Sequence, residues 1–146
     1  MTKQNTSEIN HKKLTSLLET LLPGNKNWPG ASELNLCPTV VSRLCMAEGH
    51  TEAIARLLQS LPEEFTDAPA ETRERILRPH ESTEDFNTTL LIAYDSYYLH
   101  ERVRDLLEKR CGYVTRPPQP EGFKLEPFEE SRLKNTRERE PFWRRA

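Results

Sequence analysis

The sequence predicts an all-α protein: a small helical body of about five or six helices over residues 1–112, followed by an extended, proline-rich C-terminal strap over residues 113–146. Three observations carry this reading. Before Gly112, apolar residues recur at i, i+3, i+4 and i+7 in several separate windows, which is the period of one helix face. Proline and glycine punctuate those windows, and none of them shows the alternation of a strand. Beyond Gly112 the periodicity stops although large aromatics continue.

Leu14, Leu17, Leu18 and Leu21 form one stripe on a helix expected over residues 7–22 and ended by Pro23-Gly24. The loop Pro23-Gly24-Asn25-Lys26-Asn27-Trp28-Pro29-Gly30 is turn chemistry except at Trp28, whose ring is expected to pack on a core edge or on a partner. A second helix follows Cys37-Pro38, with Val40, Val41, Leu44 and Cys45 as its stripe and Gly49 as its closing residue. The third starts from an N-cap near Thr51, carries Ile54, Leu57, Leu58 and Leu61, and stops at Pro62. Residues 65–70 read as a loop leading into a short charged helix, residues 69–77, that carries Ile76 and Leu77 and ends at Arg78-Pro79. Ser82 and Asp85 have capping-box spacing, and Phe86, Leu90, Tyr94 and Tyr97 then mark the buried face of a long helix, widened by Leu91 and Tyr98. Val103, Leu106 and Leu107 continue that pattern to a basic end at Lys109-Arg110, with Gly112 as a left-handed stop.

Composition narrows the function. The chain has 146 residues, 35% of them hydrophobic, which suffices for one modest core and leaves no room for a second catalytic domain. A net charge of −2 excludes a global basic field that would draw nucleic acid or anionic lipid. Residues 1–13 are polar, and no apolar run approaches a membrane span or the core of a secretory signal. Cys37, Cys45 and Cys111 are odd in number and lack CxxC spacing, so a reducing cytoplasm is the expected compartment.

Chemistry-bearing residues are present without a recognisable set. Cys37, Cys45, His50, His80, His100 and Cys111 are all metal-ligand types, but their spacings match no compact zinc pattern. Cys37 stands at an expected helix N-terminus, yet no spacing identifies a base for it, and a structural thiol is expected. Gly24 and Gly30 bracket a loop that lacks both the preceding strand and the Lys-Ser or Lys-Thr pair of a phosphate loop. Glu63-Glu64, Glu84-Asp85 and Glu129-Glu130 read as solvated faces and helix N-terminal charge. Arg132, Lys134, Arg137, Arg139, Arg144 and Arg145 are interleaved with Glu138 and Glu140, a mixed-charge surface and not a nucleic-acid stripe. Tyr94, Tyr97 and Tyr98, with His100 nearby, fit core packing along one helix, with Tyr98 available to a partner. No catalytic, cofactor-binding or metal-binding residue is assigned.

The strap is the remaining signal. Arg116-Pro117-Pro118-Gln119-Pro120 fixes φ at its prolines, removes their backbone donors and excludes helix. Phe123, Leu125, Phe128, Leu133, Phe142 and Trp143 add an apolar load that disordered linkers lack. The segment is expected to lie on a partner, with Arg116, Phe123, Phe128, Phe142 and Trp143 as anchors and Trp28, Pro29 and Tyr98 contributing from the body. An alternative is a regulatory adaptor whose prolines Pro117, Pro118 and Pro120 dock into a proline-recognising domain.

LLPGNKNWPGASEL, the later AYDSYYLHERV, then GYVTRPPQPEGFKLEPFEESRL and a basic end at FWRR follow one another in an order that resembles the gluconate 2-dehydrogenase subunit 3 family. The resemblance runs over residues 14–143 and is carried best by Pro23, Gly24, Trp28, Pro29, Ala31, Tyr97, Tyr98, Pro117, Pro118, Pro120 and Gly122. It implies a non-catalytic small subunit that binds and stabilises a large FAD-dependent dehydrogenase of the glucose-methanol-choline (GMC) type, acting on a sugar, glycoside or alcohol. The FAD then belongs to the partner, with a cytochrome as a candidate electron acceptor. Classical members open on a twin-arginine export signal, whereas this chain opens MTKQNTSEIN, so a cytoplasmic pair is expected, with the periplasm as the alternative if such a signal was removed.

Overall fold

Six α-helices and no strand form among the residues that the structure, a computed structural model, describes: 9–44, 49–114 and 129–134. In chain order they are α1 (His11–Leu21), α2 (Leu36–Arg43), α3 (His50–Ser60), α4 (Ala70–Leu77), α5 (Glu84–Tyr98) and α6 (Glu101–Cys111). The chain divides into two units, residues 1–115 and 116–146. All six helices belong to the first; among the described residues of the second is a short 3-10 turn, Glu130–Leu133.

Each helix is explained by its stripe and its ends. α1 buries Leu14, Leu17 and Leu18 and starts where Asn10 Oδ1 accepts from the Lys13 backbone N–H at 3.0 Å. α2 opens two residues before Pro38, which sits in the first turn where its missing donor costs nothing. It buries Leu36, Cys37 and Val40; Cys45 lies outside the described residues. The cap of α3 is Gly49 and not Thr51, which falls inside the helix, so Gly49 opens α3 where the sequence suggested that it closes α2. A 3-10 turn, Glu63–Thr66, overlaps the start of the segment 65–70 expected to be a plain loop and buries Phe65 completely. Its register is set by the aromatic ring, for which the core is the strongest attractor nearby.

Three expectations fail at α5. The cap is Thr83, one residue later than Ser82: its hydroxyl oxygen accepts from the Phe86 N–H at 3.2 Å, which frees Asp85 for Arg56. The helical pattern expected to continue to Lys109-Arg110 is broken, because His100 leaves the helical path and its Nδ1 accepts from the Arg102 N–H at 3.2 Å, opening α6, which Gly112 ends as expected. Apolar spacing carried across the break, which is why the sequence hid it. The buried face of α5 is also rotated from the expected one. Phe86, Thr89, Ile92, Ala93, Ser96 and Tyr97 face inward, while Leu91, Tyr94 and Tyr98 are 59%, 42% and 52% exposed. A small-residue face, Thr89, Ala93 and Ser96, was masked by the larger aromatics beside it.

α5 packs most extensively against α3, and also meets α2, α1 and α6. The core lies among these helices and includes Leu14, Leu17, Leu44, Ile54, Leu57 and Val103, all at most 2% exposed. No helix among the described residues is long and apolar enough to cross a membrane.

Candidate functional site

The loop between α1 and α2 is pinched at its base and turned at its tip. At the base, the Ala31 N–H donates to the Leu22 carbonyl at 2.9 Å, and Gly24 meets Gly30 so closely that a Cβ on Gly24 would stand 2.3 Å from the Gly30 nitrogen. Gly24 also has φ +72°, the left-handed region that favours glycine. At the tip, Asn25 and Trp28 exchange backbone hydrogen bonds of 2.8 and 3.1 Å, and Asn25 Oδ1 accepts from the Asn27 N–H at 2.8 Å. That arrangement is an Asx turn, and it delivers Trp28 to one side of the loop.

Trp28 packs on the core edge and remains partly open. On one side of it lies an apolar cleft of about 390 Å³ lined by Leu21, Leu22, Pro29, Tyr94, Tyr97, Tyr98 and Leu107, with Trp28 itself. The tyrosines are interlocked: Tyr97 and Tyr98 meet edge to face at 5.3 Å, and Tyr94 and Tyr98 are tilted at 6.3 Å. Tyr97 is the buried member, and its hydroxyl donates to the Pro29 carbonyl at 2.9 Å, tying α5 to the loop. Burial pushes the Tyr97 phenol above its ordinary pKa, with Tyr98 and Glu33 adding to the rise.

On the other side of Trp28 is a polar groove of similar volume, about 390 Å³, whose lining includes Lys26, Glu33, Arg102, Asp105, Lys109 and Arg110. Arg110 lies over the Trp28 ring at 5.7 Å and its guanidinium donates to Asn27 Oδ1 at 3.3 Å. Arg102 is met by Glu33 at 3.6 Å.

Of the residues proposed to meet a partner, Trp28, Pro29 and Tyr98 therefore come together at one cleft. Pro29 is buried, and its carbonyl orients Tyr97. Arg116, Pro117, Pro118, Pro120, Phe123, Phe128, Phe142 and Trp143 lie outside the described residues. The sequence reading missed Tyr94, Leu107 and Arg110 as parts of this surface. Arg110 was read only as helix C-terminal charge, and Tyr94 as core.

The other candidates resolve differently. Among the described residues, no three His, Cys, Asp or Glu side chains converge as a metal site requires. Cys37 is buried, with its sulfur 3.9 Å from His11 Nδ1, a neighbour that its position in sequence did not reveal. His100 Nδ1 is engaged at the start of α6. Glu63 is solvated as expected, its side chain 91% exposed, and it also accepts from Lys13 at 3.2 Å, whereas Asp85 grips Arg56 through both oxygens at 2.6 and 3.0 Å. The Arg56 hydrogen bonds hold the Asp85 carboxyl below its ordinary range.

No protein-family model, curated protein or solved structure matches this chain.

Proposed function

We propose that this chain is a non-catalytic accessory subunit that binds and stabilises a large FAD-dependent dehydrogenase of the GMC type, acting on a sugar, glycoside or alcohol. In this reading the flavin and the reacting groups belong to the larger chain, the pair resides in the cytoplasm, and a cytochrome is a candidate electron acceptor.

The observation that carries the partner-binding part is the exposed stripe Leu91, Tyr94 and Tyr98 along α5, continuous with the cleft at Trp28. Large apolar side chains grouped on one helix face are the usual mark of an association surface. What supports the family part is that its two best-matched body segments, Pro23 to Ala31 and Tyr97-Tyr98, are distant in sequence yet meet through the Tyr97 to Pro29 hydrogen bond.

The test is affinity purification of the tagged full chain from its natural host without added flavin. The expected result is a larger yellow chain in fixed ratio, identified by mass spectrometry as a GMC-type flavoprotein. Recovery of a signalling domain bound through the proline-rich segment, or dehydrogenase activity in the isolated chain, would overturn the proposal.

A further inference from the structure

We propose that the cleft between Trp28 and Tyr98, together with the groove beside it, docks a segment of a partner protein that carries an aromatic anchor flanked by acidic residues. This rests on the reading of the chain as a partner-binding subunit and adds the chemistry of what it binds.

The anchor follows from the cleft. Its lining is mainly aromatic and aliphatic, with Asn25 as its one amide side chain, and its volume of about 390 Å³ falls in the range that takes a ring. Tyr97 spends its hydroxyl on Pro29, so the cleft offers mainly ring faces and edges to an occupant. The extent of the occupant follows from α5. Leu91, Tyr94 and Tyr98 are spaced i, i+3 and i+7 and stand on one face, so a ligand confined to the cleft would leave Leu91 bare, whereas a segment running along the helix covers all three. The occupant is therefore a peptide segment.

Its charge follows from the groove. Arg102 is matched by Glu33, after which Lys26, Lys109 and Arg110 face a single lining carboxylate, Asp105. Among the described residues, neither lysine has an acid within salt-bridge distance, although the whole chain carries a net charge of −2. Excess cations concentrated beside an aromatic cleft on an otherwise acidic protein select anionic groups next to the anchor and repel basic ones. A proline-rich segment would use the rings but gain nothing from the cations.

The experiment uses the full chain with Trp143→Phe, which leaves Trp28 as the sole fluorophore of the two tryptophans. It is titrated with three synthetic peptides: one phenylalanine among aspartates and glutamates, the same peptide with lysines replacing the acids, and an uncharged proline-rich peptide with the same phenylalanine. The acidic peptide is expected to change Trp28 emission saturably, with affinity falling as salt rises. Tyr98→Ala, and separately Lys26→Glu with Lys109→Glu, should each weaken it by about tenfold while circular dichroism stays unchanged. Equal binding of the three peptides, no saturable change with the acidic one, indifference to the lysine changes, or self-association through this face would overturn the proposal. If the flavoprotein still co-purifies with the lysine variant at unchanged ratio, the docking chemistry fails and the accessory-subunit reading stands. If the acidic peptide binds but no flavoprotein co-purifies, the reverse holds.

Discussion

Lys13 shows how a single charged residue is used inside this core. It is 4% exposed on α1, and its ammonium donates to the Leu61 carbonyl at 2.9 Å, the Leu58 carbonyl at 3.3 Å and Glu63 at 3.2 Å. Those carbonyls lie at the C-terminal end of α3, where backbone acceptors lack helical partners and the helix dipole favours a cation. Lys13→Ala should lower stability by roughly 2–3 kcal/mol in urea denaturation, since it removes charged hydrogen bonds and leaves buried acceptors unpaired; a loss below about 0.5 kcal/mol would mean that water replaces the ammonium freely. Tyr97 gives a second residue-scale prediction. Its phenol is raised above 10.0 by burial, so the folded protein keeps that proton to higher pH than the unfolded chain does. This contribution is complete below pH 10 and is lost as pH rises through the folded ionisation. Tyr97→Phe should lose about 1 kcal/mol at neutral pH, with the hydrogen bond to Pro29, and should show a shallower alkaline decline. Identical alkaline slopes for the two proteins would contradict it.

Two glycines separate strain from crowding among the connecting elements. Gly24 and Gly112 both have positive φ, +72° and +65°, but a Cβ on Gly24 strikes Gly30 backbone whereas one on Gly112 meets nothing within 4 Å. Gly112→Ala should therefore cost about 1 kcal/mol, the conformational penalty alone. Gly24→Ala should cost more than about 2 kcal/mol and disturb Trp28 emission, because the pinch that presents the ring must open; equal costs would show that the loop relaxes without the pinch. The same contrast explains what was legible in the sequence. Stripes such as Leu14, Leu17 and Leu18, or Ile54, Leu57 and Leu58, announce their helices because period and burial coincide. The break at His100 was not legible, since apolar spacing persists across it, and the buried face of α5 was hidden because Thr89 and Ser96 are polar by type but buried in place. Within the candidate site, Trp28 stood out as an aromatic in turn chemistry, while Tyr98 read as core packing with a partner-facing use as the alternative. Their meeting with Tyr94, Leu107 and Arg110 depends on tertiary packing, which no local pattern encodes.

At the scale of the whole molecule, a helical unit over residues 1–115 presents an aromatic face with cations beside it, and a second unit follows over residues 116–146. The proposed role is binding, so its consequences belong to the partner: a chain that binds only the folded form of another protein stabilises that form by mass action. The most direct test is the rate of FAD release and thermal inactivation of the dehydrogenase proposed as its partner, measured alone, with this chain in excess, and with its Tyr98→Ala variant in excess. Slower flavin loss and slower inactivation with the native chain, and a markedly weaker effect with Tyr98→Ala at the same concentration, is the result predicted. Flavin loss and inactivation that proceed at the same rate in all three samples would contradict it.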